Sequence, residues 1–130
     1  MPHVILEGEL DLERLAGQIE TGIVRWGRAV LKTSAVWLRR DGDAVLIEGV
    51  VIEFSRPLLP VAIVTHHHGD TAVRLWAPVP VERTRAVQRW LALVGVQARN
   101  AGAGALKATN LAEDLWTDLG LGPPEPRVPA

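Results

Sequence analysis

Two turn signals constrain how this chain can fold, because each lies between two segments whose apolar residues alternate. The first is Asp41-Gly42, between residues 28–40 and 44–54, and the second is His68-Gly69-Asp70, between residues 61–67 and 71–77. Asp-Gly favours the positive backbone angles of a type I′ hairpin turn, and strands joined by tight turns pair antiparallel. The pattern therefore predicts a four-stranded antiparallel meander.

Alternation also assigns the strand residues to the two faces of the predicted sheet. The residues that share a face are Ala29, Leu31, Ala35 and Trp37 in the first strand of the meander, Leu46, Val50, Ile52 and Phe54 in the second, and Val73, Leu75 and Ala77 in the fourth. Arg74 and Trp76 fall together on the opposite face of the fourth strand. Pro57 and Pro60 interrupt the pattern between the hairpins, since proline cannot donate to a sheet ladder.

Helical spacing identifies the remaining elements. A strand over His3–Leu10 precedes a helix over Leu12–Ile19 that Asp11 can cap, and residues 22–27 form a loop. The main helix is predicted over Val81–Val94, with Val81, Val87, Leu91 and Val94 packed on the sheet around Thr84, Trp90 at the edge of that contact, and Glu82, Arg85 and Arg89 outside. A capping box of Asn110 and Glu113 predicts a last helix that ends at Leu119.

These elements predict an α+β fold in the order β-α-β-β-β-β-α-α, with a curved antiparallel sheet of about five strands and helices packed on one face. Residues 1–121 are expected to form one domain, followed by a Pro-rich disordered tail over residues 122–130. The element order is similar to the helix-grip layout of START-like lipid-binding domains, in which a sheet wraps a long C-terminal helix around a cavity. The likeness lies in element order alone and implies no particular ligand.

Composition excludes several classes of function. The formal charge is −1, with 14 basic and 15 acidic residues, which argues against nucleic acid as the partner. The absence of cysteine excludes disulfides and thiolate chemistry. No apolar run is long enough to span a membrane and no signal peptide opens the chain, so a cytoplasmic protein without a membrane partner is expected. The excess of arginine over lysine is typical of a GC-rich bacterial genome.

The segment Thr65-His66-His67-His68-Gly69-Asp70 carries three of the four histidines. It resembles the first half of the metal motif of the metallo-β-lactamase superfamily, Thr-His-x-His-x-Asp-His. The resemblance implies a metal-dependent hydrolase with His66, His68 and Asp70 as ligands. The chain departs from the motif at Thr71, where the family has a histidine, and has no histidine beyond His68. The residues by themselves favour histidines exposed at the end of a hairpin, with an adventitious or regulatory metal site as the alternative.

Three functions follow, none with assigned catalytic residues or a cofactor, and an enzyme is the least favoured. The first is binding of a small apolar or amphipathic molecule between sheet and helix, by Arg74 and Trp76 on the sheet and Trp90 and Leu91 on the helix. The second is an interaction module that forms a homodimer through a sheet face or through the helix bearing Trp116. The third is the hydrolase. An enclosed pocket would favour the first function, whereas a filled core with an exposed apolar patch would favour the second.

Overall fold

The computed structural model describes residues 1–122, so that only Gly122 of the predicted tail lies among the described residues. The elements are β1 (His3–Leu6), α1 (Leu12–Gln18), β2 (Gly22–Trp26), β3 (Ala29–Leu38), β4 (Ala44–Glu53), β5 (Arg56–Leu58), β6 (Val61–His67), β7 (Asp70–Leu75), α2 (Arg85–Asn100) and β8 (Leu106–Thr109), followed by two short 3-10 helices, Glu113–Leu115 and Thr117–Leu119. The fold is α+β with a curled antiparallel sheet, and the predicted element order matches it only roughly.

The strands pair in the order β2-β3-β4-β6-β7-β1-β8, and β5 pairs with β4 in addition. Eight strands replace the expected five or so, because β2, β5 and β8 were not predicted. Each of the three is short: β2 lies between Gly22 and Gly27, β5 contains Pro57, and β8 follows an Ala-Gly-rich stretch. A strand of three to five residues is too short for its alternation of apolar and polar residues to be recognised in the sequence.

The position of α2 corrects the predicted helix. The helix begins at Arg85 instead of Val81, because the Thr84 side chain caps it by accepting the Val87 N–H at 3.2 Å. It continues beyond Val94, the predicted end, to Asn100, and Gly95 packs against Val4 of β1. Among residues 1–122, no helix is both long enough and apolar enough to cross a membrane.

A β-bulge in β3 changes which residues face the helices. The register between β3 and β4 shifts between Thr33 and Ala35, and an extra residue reverses the side-chain alternation beyond it. Ala29 and Leu31 are therefore buried beneath the helices, whereas Trp37 lies on the opposite face with 59% of its surface exposed. The prediction that these residues share one face was wrong for this reason.

The two faces of β4 are both apolar. Val45, Ile47, Gly49 and Val51 are buried on the face towards α2, which we call the inner face. The predicted set Leu46, Val50 and Ile52 lies on the other side, which we call the outer face. Phe54 does not belong to the strand, because it forms a tight turn with Ser55 in which both residues have positive φ, at 54° and 61°.

The hairpin loops also differ from the prediction in one respect. In the loop at Asp41-Gly42 only Gly42 has a positive φ, and its N–H donates to the Arg39 carbonyl at 2.8 Å. This geometry is a type I turn followed by a left-handed glycine, not a type I′ turn. Positive φ at two successive residues occurs instead at His68 and Gly69, at 49° and 83°.

Trp90 lies at the centre of the core and not at its edge. Its side chain is fully buried, and its indole Nε1–H donates to the Thr33 hydroxyl at 3.2 Å. The ring covers Gly49 so closely that a Cβ at position 49 would lie 2.4 Å from the nearest ring atom. The indole and the bare glycine backbone thus form one packed unit between α2 and β4.

Arg89 was predicted on the solvent side of α2 but is only 7% exposed. Its guanidinium donates to both carboxylate oxygens of Asp118, at 2.6 and 3.0 Å, and to the Leu115 carbonyl. It also lies over the ring of Trp26, 5.6 Å from the centroid. The hydrogen bond from Arg89 holds the pKa of Asp118 below its ordinary value. Arg89 therefore fastens the 3-10 segments, which replace the predicted last helix, to α2.

The contact between Trp90 and Gly49 makes a testable prediction about stability. Gly49→Ala should lower the free energy of unfolding by about 1–3 kcal/mol, because the added methyl group overpacks the core. Gly22→Ala is the matched control, since a Cβ there meets nothing within 4 Å; it should change stability by less than about 0.5 kcal/mol. Urea unfolding of both variants measures the difference, and equal stability would mean that Trp90 does not cover Gly49.

Candidate functional site

The predicted metal ligands of the histidine segment are engaged by the backbone. His66 lies near the end of β6. Its Nε2 is 2.7 Å from the Leu10 carbonyl oxygen, to which it can donate a hydrogen bond. Asp70 opens β7 and accepts the Gly8 N–H at 3.1 Å and the Lys107 ammonium at 2.7 Å. His68 lies in the turn between them. His66 and Asp70 thus tie the hairpin to the loop that follows β1.

The geometry does not gather a metal centre from these residues. Within the part of the chain that the structure describes, no three histidine or carboxylate side chains come close enough together to hold a metal ion. A zinc site normally needs at least three protein ligands. The residues His66, His68 and Asp70 therefore stand as neighbours on one hairpin without converging on a point.

The charges at this hairpin shift in ways that follow from their contacts. The hydrogen bond from Lys107, together with the Gly8 N–H, lowers the pKa of Asp70 below its ordinary value of 3.8. The same hydrogen bond raises the pKa of Lys107. Partial burial lowers the pKa of His67, as do the nearby charges of His68 and Arg74. The ionised pair of Asp70 and Lys107 thus joins β7 to β8 across β1.

The four predicted ligand-binding residues lie on opposite sides of the sheet. Trp90 and Leu91 are fully buried between α2 and the inner face. Arg74 and Trp76 are half-buried on the outer face. Because the sheet separates the two pairs, the four side chains do not line one pocket.

A cleft remains at one edge of the space between sheet and helix. It has a volume of about 260 Å³ and opens between β2 and α2. Val24 and Leu31 of the sheet and Leu93 and Val96 of the helix line its walls, with Trp90 and Thr33 at its base. The rest of the space between α2 and the sheet is filled by buried side chains.

A second concave surface lies on the outer face, and we call it the outer groove. Leu46, Val61 and Ile63 of β4 and β6 form its floor, and Trp37 and Trp76 form its walls. It comprises two adjoining depressions of about 280 and 320 Å³. Since β3 and β7 are three positions apart in the sheet and the tryptophans are displaced by two residues along the strands, their backbones are separated by roughly 16 Å.

Polar groups occupy defined positions around the outer groove. The Trp37 indole Nε1–H donates to the Glu48 carboxylate at 2.6 Å, which fixes the ring over the groove. Arg74 of β7 pairs with Ile63 of β6. Its guanidinium is 3.2 Å from Nδ1 of His67. Among the described residues, no carboxylate lies within ion-pair distance of Arg74. The groove therefore combines an apolar floor and aromatic walls with Glu48 and Arg39 in its lining, and Arg74 lies beside it on the same face of the sheet.

Sequence reasoning found Trp76 and Arg74 but missed the other residues of the outer groove. Trp37 was predicted on the same face as Ala29 and Leu31, because the bulge at Ser34 has no sequence signal of its own. A signal did exist in β4, where residues 44–52 are apolar except for Glu48 and Gly49. Such a nearly continuous apolar run is typical of a strand that is covered on both faces.

Comparison with known proteins adds no relative from which function could be transferred. No protein-family model, no curated protein and no solved structure matches this chain.

The Asp70–Lys107 pair makes a prediction about pH. A carboxylate whose pKa is lowered by folding stabilises the fold above its ordinary pKa, and this stabilisation is lost as the pH falls through the folded-state value. Asp70→Asn should therefore reduce stability to urea near neutral pH, and the difference from the wild type should disappear as the pH falls below 3.8. Asp43→Asn, which removes an exposed carboxylate from the other hairpin loop, is the control. A deficit in Asp70→Asn that is the same at every pH would contradict the ion pair.

Proposed function

We propose that this protein is a non-enzymatic interaction module that binds another polypeptide through the outer face of its sheet. The observation that carries the proposal is the outer groove, an apolar surface with two tryptophans on the side of the sheet that no helix of residues 1–122 covers. An antiparallel sheet with helices on one face usually exposes polar residues on the other. Apolar residues at these outer positions are therefore accounted for by a partner.

The residue types of the outer groove support the same proposal. Tryptophan and arginine are the side chains that most often dominate the energy of protein interfaces. Trp37 is 59% exposed, and its ring is already held by Glu48. A side chain that is ordered before binding loses less conformational entropy when a partner covers it. Trp37 is thus suited to be the main anchor of the interaction.

The space between the sheet and α2 is filled by side chains, which favours an interaction module over ligand binding in an enclosed cavity. Trp90 and Leu91 are fully buried there, and Trp90 fills the space over Gly49. Enclosed ligand pockets commonly have volumes of about 300–1,000 Å³, whereas the space beside α2 is an open cleft of about 260 Å³ at the edge.

The edge cleft favours a second candidate function, the binding of a small apolar molecule. Its lining includes Glu20 but no lysine or arginine among the described residues, so an uncharged molecule suits it better than a carboxylate. Arg74, the one cation among the predicted ligand-binding residues, lies on the other face of the sheet. The cleft is independent of the outer groove, and each can be tested without the other.

For the interaction module, Trp37→Ser should weaken association by at least about 30-fold, the effect of losing an interface anchor worth about 2 kcal/mol. The measurement is gel filtration with light scattering of the tagged chain, both purified and in extract of the expressing cells. Val24→Ser is the control, since Val24 is 49% exposed but pairs with Leu31 and so lies on the other side of the sheet from the outer groove. If the wild-type chain runs as a monomer in both settings, the proposed function is wrong.

For the second candidate, the uncharged dye Nile red is expected to bind the wild-type protein with increased fluorescence. Val96→Trp should abolish this signal, because the larger side chain fills the cleft. Trp37→Ser should retain it, since Trp37 belongs to the other face. Loss of the signal in Trp37→Ser with retention in Val96→Trp would place the dye in the outer groove and rule out the cleft.

A further inference from the structure

We propose that the partner of the outer face is a second copy of this chain, related to the first by a two-fold axis that runs between β4 and β6, parallel to the strands. This inference rests on the proposed function and names its partner. A two-fold interface uses the same patch on both subunits, so the patch must be complementary to itself. The register of the sheet decides which residues of the two copies meet across the axis.

The outer-face residues form rows that cross β3, β4, β6 and β7. One row is Trp37, Leu46, Ile63 and Arg74, and the next is Ala35, Glu48, Val61 and Trp76. An axis between β4 and β6 sets each row against itself in reverse order. The first residue of a row then lies opposite the last residue of the same row in the partner.

In the first row, this arrangement sets Trp37 opposite Arg74 of the other copy and Leu46 opposite Ile63. The Trp37 ring is exposed and held by Glu48, and Arg74 has no carboxylate partner among residues 1–122. A guanidinium over an indole face is a favourable cation–π contact. The two-fold axis forms this contact twice, once at each end of the interface.

In the second row, the large Trp76 lies opposite the small Ala35 of the other copy. The Trp76 ring can therefore occupy the space above Ala35, next to the other copy's Trp37. Glu48 lies opposite Val61 and keeps its hydrogen bond from its own Trp37. One carboxylate oxygen thus keeps a donor when water is excluded, and the remaining cost of burying the charge weakens the dimer. No like charges face each other in either row.

Other two-fold axes place like charges or poorer contacts together. An axis along β4 sets Glu48 against its own copy, and an axis across β4 at Val50 sets Lys32 against its own copy, since Lys32 pairs with Val50. Like charges in contact are unfavourable at an interface. An axis along β6 sets Arg74 against Leu46 and leaves Trp37 opposite His3. Of the four axes compared, the axis between β4 and β6 avoids contacts between like charges and sets Trp37 against Arg74.

The size of the patch sets the expected strength of the dimer. A third row continues the patch towards the hairpin ends, where Arg39 and Thr65 are accessible and Ala44 and Ala72 are already buried within the subunit. Four strands and three rows with their side chains cover roughly 20 by 20 Å, which corresponds to the small interfaces, below about 1,200 Å² in total, that form reversible complexes. We therefore expect a dimer that dissociates on dilution.

The test exchanges the two residues that meet across the axis. Trp37→Arg should give a monomer, because each introduced guanidinium faces Arg74 of the other copy. Arg74→Glu should weaken the dimer at least 10-fold, since it removes the cation from the Trp37 ring. In a one-to-one mixture, one end of the heterodimer has the introduced arginine opposite the introduced glutamate, and the other end keeps the native contact between Arg74 and Trp37. The mixture should therefore associate at least 10-fold more tightly than either variant alone in sedimentation velocity.

Lys32→Gln is the control, because Lys32 is exposed on the outer face but lies outside the three rows that meet in this arrangement. It should leave the wild-type dimer unchanged, whereas tighter association would favour the axis across β4. Circular dichroism establishes that every variant is folded. A mixture that associates no better than the single variants would overturn the proposed arrangement. If the purified wild type is monomeric but Trp37→Ser changes its size in cell extract, the second copy is wrong and the proposed function stands.

Discussion

The packing of Trp90 onto Gly49 is the contact on which the rest of the structure depends. It lets the largest side chain of α2 lie flat against the backbone of β4, and its hydrogen bond to Thr33 extends the contact to β3. The helix consequently lies close to the concave side of the sheet, with its stripe of buried residues in direct contact with β1, β4 and β7. Because this contact fills the centre, open space on the inner face is confined to the edge beside β2.

The bulge next to Thr33 has an equally large effect on the other side of the sheet. One additional residue in β3 moves Trp37 from the face on which Leu31 is buried to the face opposite. There the ring meets Glu48, which fixes its orientation. The outer groove, and with it the proposed interface, thus follows from a local irregularity whose position coincides with the hydrogen bond between Thr33 and Trp90. A few residues of β3 therefore link the two faces of the sheet. Thr33 contacts Trp90 in the core, and the bulge after it places Trp37 on the outer face.

The histidine hairpin illustrates how residues typical of catalysis can have a structural role. His66, Asp70 and Thr71 all direct polar atoms to the backbone of the loop after β1: His66 to Leu10, Asp70 to Gly8, and the Thr71 hydroxyl to both. These bonds satisfy backbone groups that would otherwise lack partners near the core, where unpaired groups are costly. The threonine that stands in place of the final motif histidine is fully buried and makes two of these bonds. The departure from the motif is therefore the part of the segment that is most firmly built into the fold.

The sequence by itself determined the α+β class, the antiparallel hairpins, the first helix with its Asp11 cap, and the separation of Val73 and Leu75 from Arg74 and Trp76 on β7. These features are local, because turn residues, capping side chains and alternation act within a few positions of one another. Only the tertiary structure decided which face of β4 is buried, where β3 bulges, that β2, β5 and β8 are strands, and that Arg89 is buried against Asp118, 29 residues away. Alternation with a period of two reports that a strand has two faces but not which one the helix covers. An edge strand or a buried cation, in turn, is defined by partners that are distant in the sequence and come together only when the chain folds.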